Sequence, residues 1–185
     1  MSEVSGQMSA RAMLYPPPPW TNSIVRLYHG TTFDDARVIA EQGAAVARGS
    51  GGRDFGRAFY TTTVERQART WAVEVARERG RELAAVVRFD VDREALAALE
   101  TLTFVRGDFD ADDYWSFVVH CRSGGTDHAR IRRSHGLYDV VIGPVAAFWR
   151  QRLTIGGADQ MSFHTEASEA ALNTSSRSIS WTSSR

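Results

Sequence analysis

IVRLYHGT, at residues 24–31, is the stretch that decides the fold, because an apolar strand pattern ends in residues suited to ligand contact. Residues 24–28 predict a first β-strand. His29 follows directly, at the end of the expected sheet, where a ligand can reach it. Gly30 has no Cβ, so its backbone N–H and C=O groups can approach a flat ligand closely. We therefore take His29 and Gly30 as candidate binding residues, with an ordinary turn at a strand end as the alternative.

A second stretch, FGRAFYTT at residues 55–62, predicts a turn of small residues that leads into a short strand. Tyr60 stands at the start of that strand. A tyrosine in this position can lay its ring face on a planar heterocycle. The alternative is that Tyr60 packs in the core. The two stretches are about 30 residues apart, which leaves room for one helix between them.

Helices and strands interleave around these two stretches without regular βαβ spacing, which favours an α+β fold over a doubly wound sheet. Thr32 and Asp35 have the spacing of a helix cap, and Gly43 stands where a C-terminal glycine belongs. Thr62 and Glu65 suggest a second cap. Beyond the first strand and the short strand within residues 55–62, the pattern predicts helices near 33–42, 62–80, 92–99, 112–122 and 166–172, and strands near 83–90, 101–106, 138–145 and 159–164.

The helix predicted to end at Gly80 shows the clearest amphipathic pattern in the chain. Its apolar residues recur at helical spacing and are Val64, Ala68, Trp71, Ala72, Val75 and Ala76. A tryptophan on such a stripe normally lies in the core. We therefore expect Trp71 to be buried.

The two ends of the chain have compositions that do not favour folding. Residues 1–22 contain Ser, Gly and Met and then four consecutive prolines at 16–19, which predicts a disordered, Pro-rich segment. Residues 173–185 are rich in serine, threonine and arginine and are expected to form a disordered tail. The sequence thus predicts one folded domain over residues 23–172.

Composition excludes several classes of function. The 185 residues carry a formal net charge of zero, which argues against a protein held on nucleic acid by phosphate neutralisation. One cysteine permits no internal disulfide and fits a reducing compartment. Because no apolar run approaches the ~20 residues of a membrane span, and no secretory signal pattern is present, we expect a cytoplasmic protein without membrane contact.

No metal is expected. Four potential ligands, His120, Cys121, His128 and His135, are close in sequence but match no compact zinc signature. The arginines of residues 130–133 could contact phosphate groups of a nucleic acid or a nucleotide. A solvated helix face is the alternative interpretation of that cluster.

Two later stretches complete a recognisable order of motifs. They are DVVIGPVA at residues 139–146 and DQMSFHT at residues 159–165. Together with YHGT and FGRAFYTT, they resemble the ADP-ribosyltransferase superfamily, in the branch of diphtheria toxin and the poly-ADP-ribose polymerases. Within that branch the chain is similar to an uncharacterised bacterial family. The resemblance covers roughly residues 26–172 and implies a split β-sheet core with flanking helices.

The resemblance also implies a set of site residues, with NAD as the co-substrate. His29 would hydrogen-bond a ribose hydroxyl, the Gly30 backbone would hold the nicotinamide carboxamide, and Tyr60 would stack on the nicotinamide ring. The catalytic set would be His29, Tyr60 and Gln160. The residues expected to contact NAD are Tyr28, His29, Gly30, Thr31, Phe55, Gly56, Arg57 and Tyr60.

Gln160 departs from the superfamily pattern, which usually has glutamate there. A glutamine can orient a hydroxyl group, but it has no charge to stabilise a developing cation and cannot act as a base. Asp159 and Glu166 are the nearby carboxylates that could compensate. Asp159 should face the opposite side of its strand, and Glu166 would follow Thr165, which resembles a helix N-cap. Ala58 is a second departure, since the pattern has glycine there.

The expected function is therefore NAD-dependent mono-ADP-ribosyl transfer to a macromolecular acceptor, either protein or nucleic acid. The small size suggests the toxin of a bacterial toxin–antitoxin pair, with an antitoxin as a further partner. The alternative is a catalytically weak or inactive module of the same fold that binds NAD or another nucleotide. RNA 2′-phosphate removal ranks last, because only the cluster at residues 130–133 offers basic phosphate contacts.

Overall fold

The computed structural model describes residues 19–49, 51–81, 83–105, 111–125 and 136–183, and within them the chain is a mixed α+β protein. The helices are α1 Phe33–Gln42, α2 Glu65–Glu78, α3 Arg93–Ala97, α4 Asp112–Arg122 and α5 Glu166–Thr174. The strands are β1 Ile24–Thr32, β2 Phe59–Thr61, β3 Ala84–Asp92, β4 Thr101–Thr103, β5 Val140–Phe148, β6 Leu153–Phe163 and β7 Ser176–Thr182. Three of the four consecutive prolines, at 16–18, and the arginine cluster at 130–133 lie outside the described residues.

The strands form two sheets. One has the order β1-β3-β7 and is antiparallel, and the other has the order β2-β6-β5-β4. Only the β4–β5 pair is parallel in the second sheet. The sheets meet where Tyr28 and Thr62 exchange backbone hydrogen bonds of 2.8 and 3.0 Å. This bridge brings the YHGT and FGRAFYTT stretches side by side.

Strand β3 lies at the centre of the first sheet and is covered on both faces. Val87 and Phe89 face a cluster that also contains Leu27, Phe163 and Leu172. The alternate residues Ala84 and Val86 face the alanines of α2. A strand buried on both faces needs a continuous apolar run, which explains the AAVV segment at its start.

A second core cluster lies under α4. It contains Phe55, Tyr114, Trp115, Val118 and Val141, all of which are almost completely buried. Phe55 comes from the turn before β2, so this cluster attaches the turn to the rest of the fold. The turn and its neighbour β2 are therefore anchored rather than free at the surface.

The C-terminal residues correct one prediction from composition. Residues 176–182 form β7, which pairs with β3 from Ala85 to Asp90, so the disordered tail predicted for 173–185 is wrong for this segment. Ile179 packs against the first cluster and Trp181 against the alanines. Composition misses this strand because alternating apolar residues and backbone hydrogen bonds order it despite its many serines.

Helix ends show which capping predictions hold. The Thr32 side chain accepts a hydrogen bond from the Asp35 N–H, and Gly43 ends α1 with φ of 100°, as predicted. The cap predicted at Thr62 is wrong, because α2 begins after Val64, which makes no side-chain cap. The Thr62 hydroxyl instead bonds Gln67 and Asp159. None of the helices in the described part of the chain has the length and hydropathy needed to cross a bilayer.

Candidate functional site

A pocket of about 430 Å³ lies beside the junction of the two sheets, between β1, β2, β6 and α2. This volume is within the usual range for small-molecule sites. The pocket is lined by six of the residues predicted from the sequence, namely Tyr28, His29, Gly30, Thr31, Tyr60 and Gln160. Residues from three separate motifs therefore share one cavity.

His29 has a defined tautomer. Its Nδ1 lies 2.7 Å from the Tyr60 carbonyl oxygen, which can only accept, so Nδ1 carries the proton and Nε2 is an acceptor. The ring stacks on Phe59 with centroids 4.4 Å apart. Burial lowers the pKa of His29 and outweighs the raising effects of the Tyr60 carbonyl and of Asp35. His29 therefore lines the pocket as a neutral hydrogen-bond acceptor.

The lowered pKa of His29 predicts a pH-dependent stability. Since the folded pKa is below the unfolded value of about 6.5, the unfolded chain binds more protons between the two. The contribution is fully present above pH ~6.5 and is lost as the pH falls towards the folded pKa. His29→Asn keeps a donor for the Tyr60 carbonyl but does not titrate.

Urea unfolding of wild type and His29→Asn at several pH values checks this expectation. The free energy of unfolding of the wild type should fall more steeply below pH ~6.5 than that of the variant. Parallel pH profiles for the two proteins would contradict the assignment of His29 as a half-buried neutral imidazole.

The backbone of Gly30 lines the pocket. The position where any other residue would carry its Cβ faces α2. Backbone groups of alternate residues point to the same edge of a strand, so Gly30 directs its N–H and C=O to the edge where Tyr28 bonds Thr62. A Cβ on Gly30 would overlap the Ala68 carbonyl oxygen and lie 2.9 Å from the Ala72 nitrogen. Helix packing, and not the approach of a ligand, therefore explains why a glycine stands here.

Tyr60 presents its ring to the pocket, whereas its hydroxyl is bonded within the protein. The hydroxyl donates to the Gly56 carbonyl at 2.7 Å and accepts from the Phe55 N–H at 3.0 Å. Burial raises the pKa of Tyr60 far above its ordinary value. The hydroxyl closes the turn at residues 55–60, and the ring remains to line the pocket.

Phe55, Gly56 and Arg57, which the resemblance also implies as NAD contacts, are not among the residues that line this pocket. Phe55 is fully buried in the second core cluster. Gly56 has a positive φ of 83°, which the turn requires. Arg57 is exposed, and its backbone carbonyl accepts a hydrogen bond from His164 Nδ1. These residues shape the turn that carries Tyr60.

Gln160 lies on β6 and is 8 % exposed. Its Nε2 donates to Asp54 Oδ2 at 2.7 Å and to the Pro144 carbonyl at 2.8 Å. Its oxygen makes no hydrogen bond to any residue that the structure describes. As predicted, Asp159 faces the other side of the strand, where it accepts from the Thr63 N–H at 2.9 Å. Glu166 begins α5 after the Thr165 cap and does not line the pocket.

Asp54 is a site residue that sequence reasoning missed. It lines the pocket and is only 3 % exposed. Its carboxylate accepts from Arg122 Nε at 2.7 Å and from the Ala146 N–H at 2.8 Å, besides the Gln160 amide. The one signal in the sequence was an acidic residue directly before the buried Phe55 of the second motif.

Trp71 corrects the expectation of a buried tryptophan. It is 44 % exposed and lines the pocket, where the Arg53 guanidinium lies 5.0 Å from its ring centroid. The reason is the close contact between α2 and β1, where only alanines fit against Gly30. A large ring at this helix must lie beside the contact and not inside it.

The pocket carries more positive than negative side chains. Of the described residues, four arginines and two aspartates line it: Arg48, Arg53, Arg79, Arg122, Asp35 and Asp54. Arg79 pairs with Asp35, which also accepts from the Thr31 hydroxyl, and Arg122 pairs with Asp54. Such a surplus favours an anionic ligand.

The described residues contain no group of three or more His, Cys, Asp or Glu side chains placed to hold a metal ion. Cys121 is a buried residue of α4. His128 and His135 lie outside the described residues. The site is therefore built from hydrogen-bonding, aromatic and arginine side chains.

Comparison with known proteins assigns a family. Curated proteins give no match to the chain. A family model described as a protein of unknown function, DUF3990, matches residues 25–154. That range includes His29, Asp54, Tyr60 and Arg122 and ends six residues before Gln160. Since the match spans more than half of the chain, the protein belongs to the DUF3990 family.

Proposed function

We propose that the pocket binds NAD and that the protein transfers ADP-ribose from it to a macromolecular acceptor. The observation that carries this proposal is the convergence of His29, Gly30, Tyr60 and Gln160 in one cavity. These residues come from three motifs that are far apart in the sequence. Their joint placement supports the resemblance to ADP-ribosyltransferases on which the expectation was based.

Each group in the pocket suits one part of NAD. The unprotonated Nε2 of His29 can accept from a ribose hydroxyl. The Gly30 N–H and C=O offer one donor and one acceptor, which complement a carboxamide. The Tyr60 ring can stack on the nicotinamide. The surplus of arginines favours the diphosphate.

In the proposed reaction, the bond between the ribose C1′ and the nicotinamide nitrogen breaks, and its electron pair leaves with neutral nicotinamide. An acceptor nucleophile forms the new bond to C1′ and releases its proton. Gln160 cannot take up that proton, because an amide is not a base at neutral pH. The proton must therefore pass to another group or to water, which favours an acceptor that is a good nucleophile by itself.

The acceptor is a protein or a nucleic acid, and the biological setting we propose is a cytoplasmic toxin controlled by an antitoxin.

The observation behind a second candidate function is the state of Gln160. It is neutral, and both hydrogens of its amide are used by Asp54 and Pro144. This favours, as the alternative, a module that binds NAD or another nucleotide without cleaving it.

Incubation with NAD and a cell extract tests the proposal. Wild type should release nicotinamide and transfer label from the ADP-ribose moiety to protein or nucleic acid. His29→Ala and Tyr60→Leu should each lower the rate by ~10²-fold or more, because each removes a group that positions the substrate. His120→Ala is the control, since His120 is exposed and does not line the pocket.

Three results are informative. Binding of NAD without nicotinamide release would favour the binding module. Release without transfer of label would indicate hydrolysis with water as the acceptor. Full activity of both pocket variants would contradict the site.

A further inference from the structure

Asp54 is bonded by groups from three parts of the chain. Arg122, the last residue of α4, and the Ala146 N–H of β5 hold its two oxygens. The Gln160 amide of β6 shares the oxygen that Ala146 contacts. A carboxylate that accepts hydrogen bonds from three residues and is 3 % exposed has a fixed orientation.

This arrangement also fixes which way the Gln160 amide points. Its two partners, the Asp54 carboxylate and the Pro144 carbonyl, are acceptors only. The nitrogen must face them, because a flipped amide would place its oxygen against both. The oxygen is therefore directed away from Asp54, and Gln160 is one of the pocket-lining residues.

We infer that Asp54 is a positioning residue that holds Gln160 with its amide oxygen presented to the pocket as an acceptor for a ligand hydroxyl. The inference rests on the proposed function in one respect, since it takes the ligand to be a ribose-containing nucleotide. Asp54 acts through Gln160 and needs no contact with the ligand.

The pair has a second physical effect. A hydrogen bond to an anionic acceptor polarises the donating amide and strengthens the oxygen at its other end as an acceptor. The charge of Asp54 is itself balanced by Arg122. The pair therefore gives the pocket an oriented dipole at the position where the ADP-ribosyltransferases that the sequence resembles usually have a carboxylate, without leaving an unpaired buried charge.

A double-mutant cycle tests this inference with NAD as the probe. The variants are Asp54→Asn, Gln160→Met and the double variant, and calorimetry measures the Kd of each. Asp54→Asn in the wild-type background should weaken binding roughly tenfold. In the Gln160→Met background the same change should alter Kd by less than about twofold.

Asp90→Asn is the matched control. Asp90 is also partly buried and paired with arginines, Arg26 and Arg88, but it does not line the pocket. It should leave NAD affinity unchanged while changing stability. If Asp54→Asn weakens binding equally in both backgrounds, or if Asp90→Asn weakens it as much, Asp54 has only a general structural role and the inference is wrong.

NMR of the side-chain amides supplies a readout that needs neither ligand nor variants of Asp54. The Gln160 NH₂ signals, assigned by their loss in Gln160→Met, should be displaced from those of exposed glutamines and exchange slowly with water. Signals at ordinary positions would overturn the inference even if Asp54→Asn fails to fold.

The two proposals can fail separately. If the double-mutant cycle shows that Asp54 and Gln160 are coupled in NAD affinity but no nicotinamide is released, the transferase proposal fails and the role of Asp54 stands. If nicotinamide is released but the effects of the two substitutions on NAD affinity are additive, the transferase proposal stands and the role of Asp54 fails. Absence of NAD binding by the wild type would overturn the ligand-facing role of Gln160 together with the function.

Discussion

Replacing Gln160 by glutamate is expected to destabilise the protein by about 3 kcal/mol at pH 8, and not to strengthen its chemistry. The new carboxylate would stand at hydrogen-bonding distance from the Asp54 carboxylate and the Pro144 carbonyl, where the wild type has an amide donor. Both neighbours repel a negative charge. A carboxylate side chain at position 160 therefore does not fit this pocket while Asp54 is present.

The pH dependence of this variant has a definite sign. Repulsion and burial raise the folded pKa of the introduced carboxyl above its unfolded value of about 4.3. The destabilisation should be small below pH ~4.3, where the carboxyl is protonated in both states, and should grow as the pH rises through the folded pKa. Urea unfolding at pH 8 and near pH 4.5 measures it.

Two controls support the interpretation of Gln160→Glu. Gln151→Glu makes the same chemical change at an exposed position and should alter stability by less than about 0.5 kcal/mol. Adding Asp54→Asn to Gln160→Glu should recover part of the loss at pH 8, because it removes one of the two facing charges. A Gln160→Glu variant as stable as wild type at pH 8 would contradict the described contact.

Gly30→Ala should have a similarly large effect, lowering the free energy of unfolding by about 3 kcal/mol. Its Cβ would overlap the Ala68 carbonyl oxygen, and that atom belongs to the helical backbone of α2. Helix and strand would have to separate, which would open the alanine cluster beneath. For a chain of this size the expected drop in Tm is roughly 6–12 °C.

Gly51→Ala is the matched substitution, because a Cβ there meets no atom within 4 Å. It should be neutral within about 0.5 kcal/mol. Thermal unfolding of both variants checks the expectation. If Gly30→Ala unfolds within a degree or two of wild type, α2 does not pack against β1 as closely as described.

Local signals in the sequence predicted several elements well. Helix α1 was predicted at the residues it occupies, because Thr32 caps it and Gly43 ends it. Helix α4 also has its predicted bounds, Asp112–Arg122. Strand β7 was missed, since its order comes from pairing with β3 across about 90 residues of sequence. Such pairing leaves little trace in local composition.

The residues of the candidate site also divide into those with a local signal in the sequence and those without one. His29, Tyr60 and Gln160 were predicted because each belongs to a motif, and the structure places all three in one pocket. Asp54 was missed because its bond to Gln160 joins positions 106 residues apart. Trp71 was misplaced because helical spacing gives the face of a residue but not the distance to the neighbouring strand.

Equilibrium titration of the purified protein with NAD tests the central claim most directly, since every proposed role depends on this pocket. We predict saturable binding at one site, weakened at least tenfold by His29→Ala and by Tyr60→Leu and unchanged by His120→Ala. No binding by the wild type, or equal affinity in His29→Ala, would contradict the account.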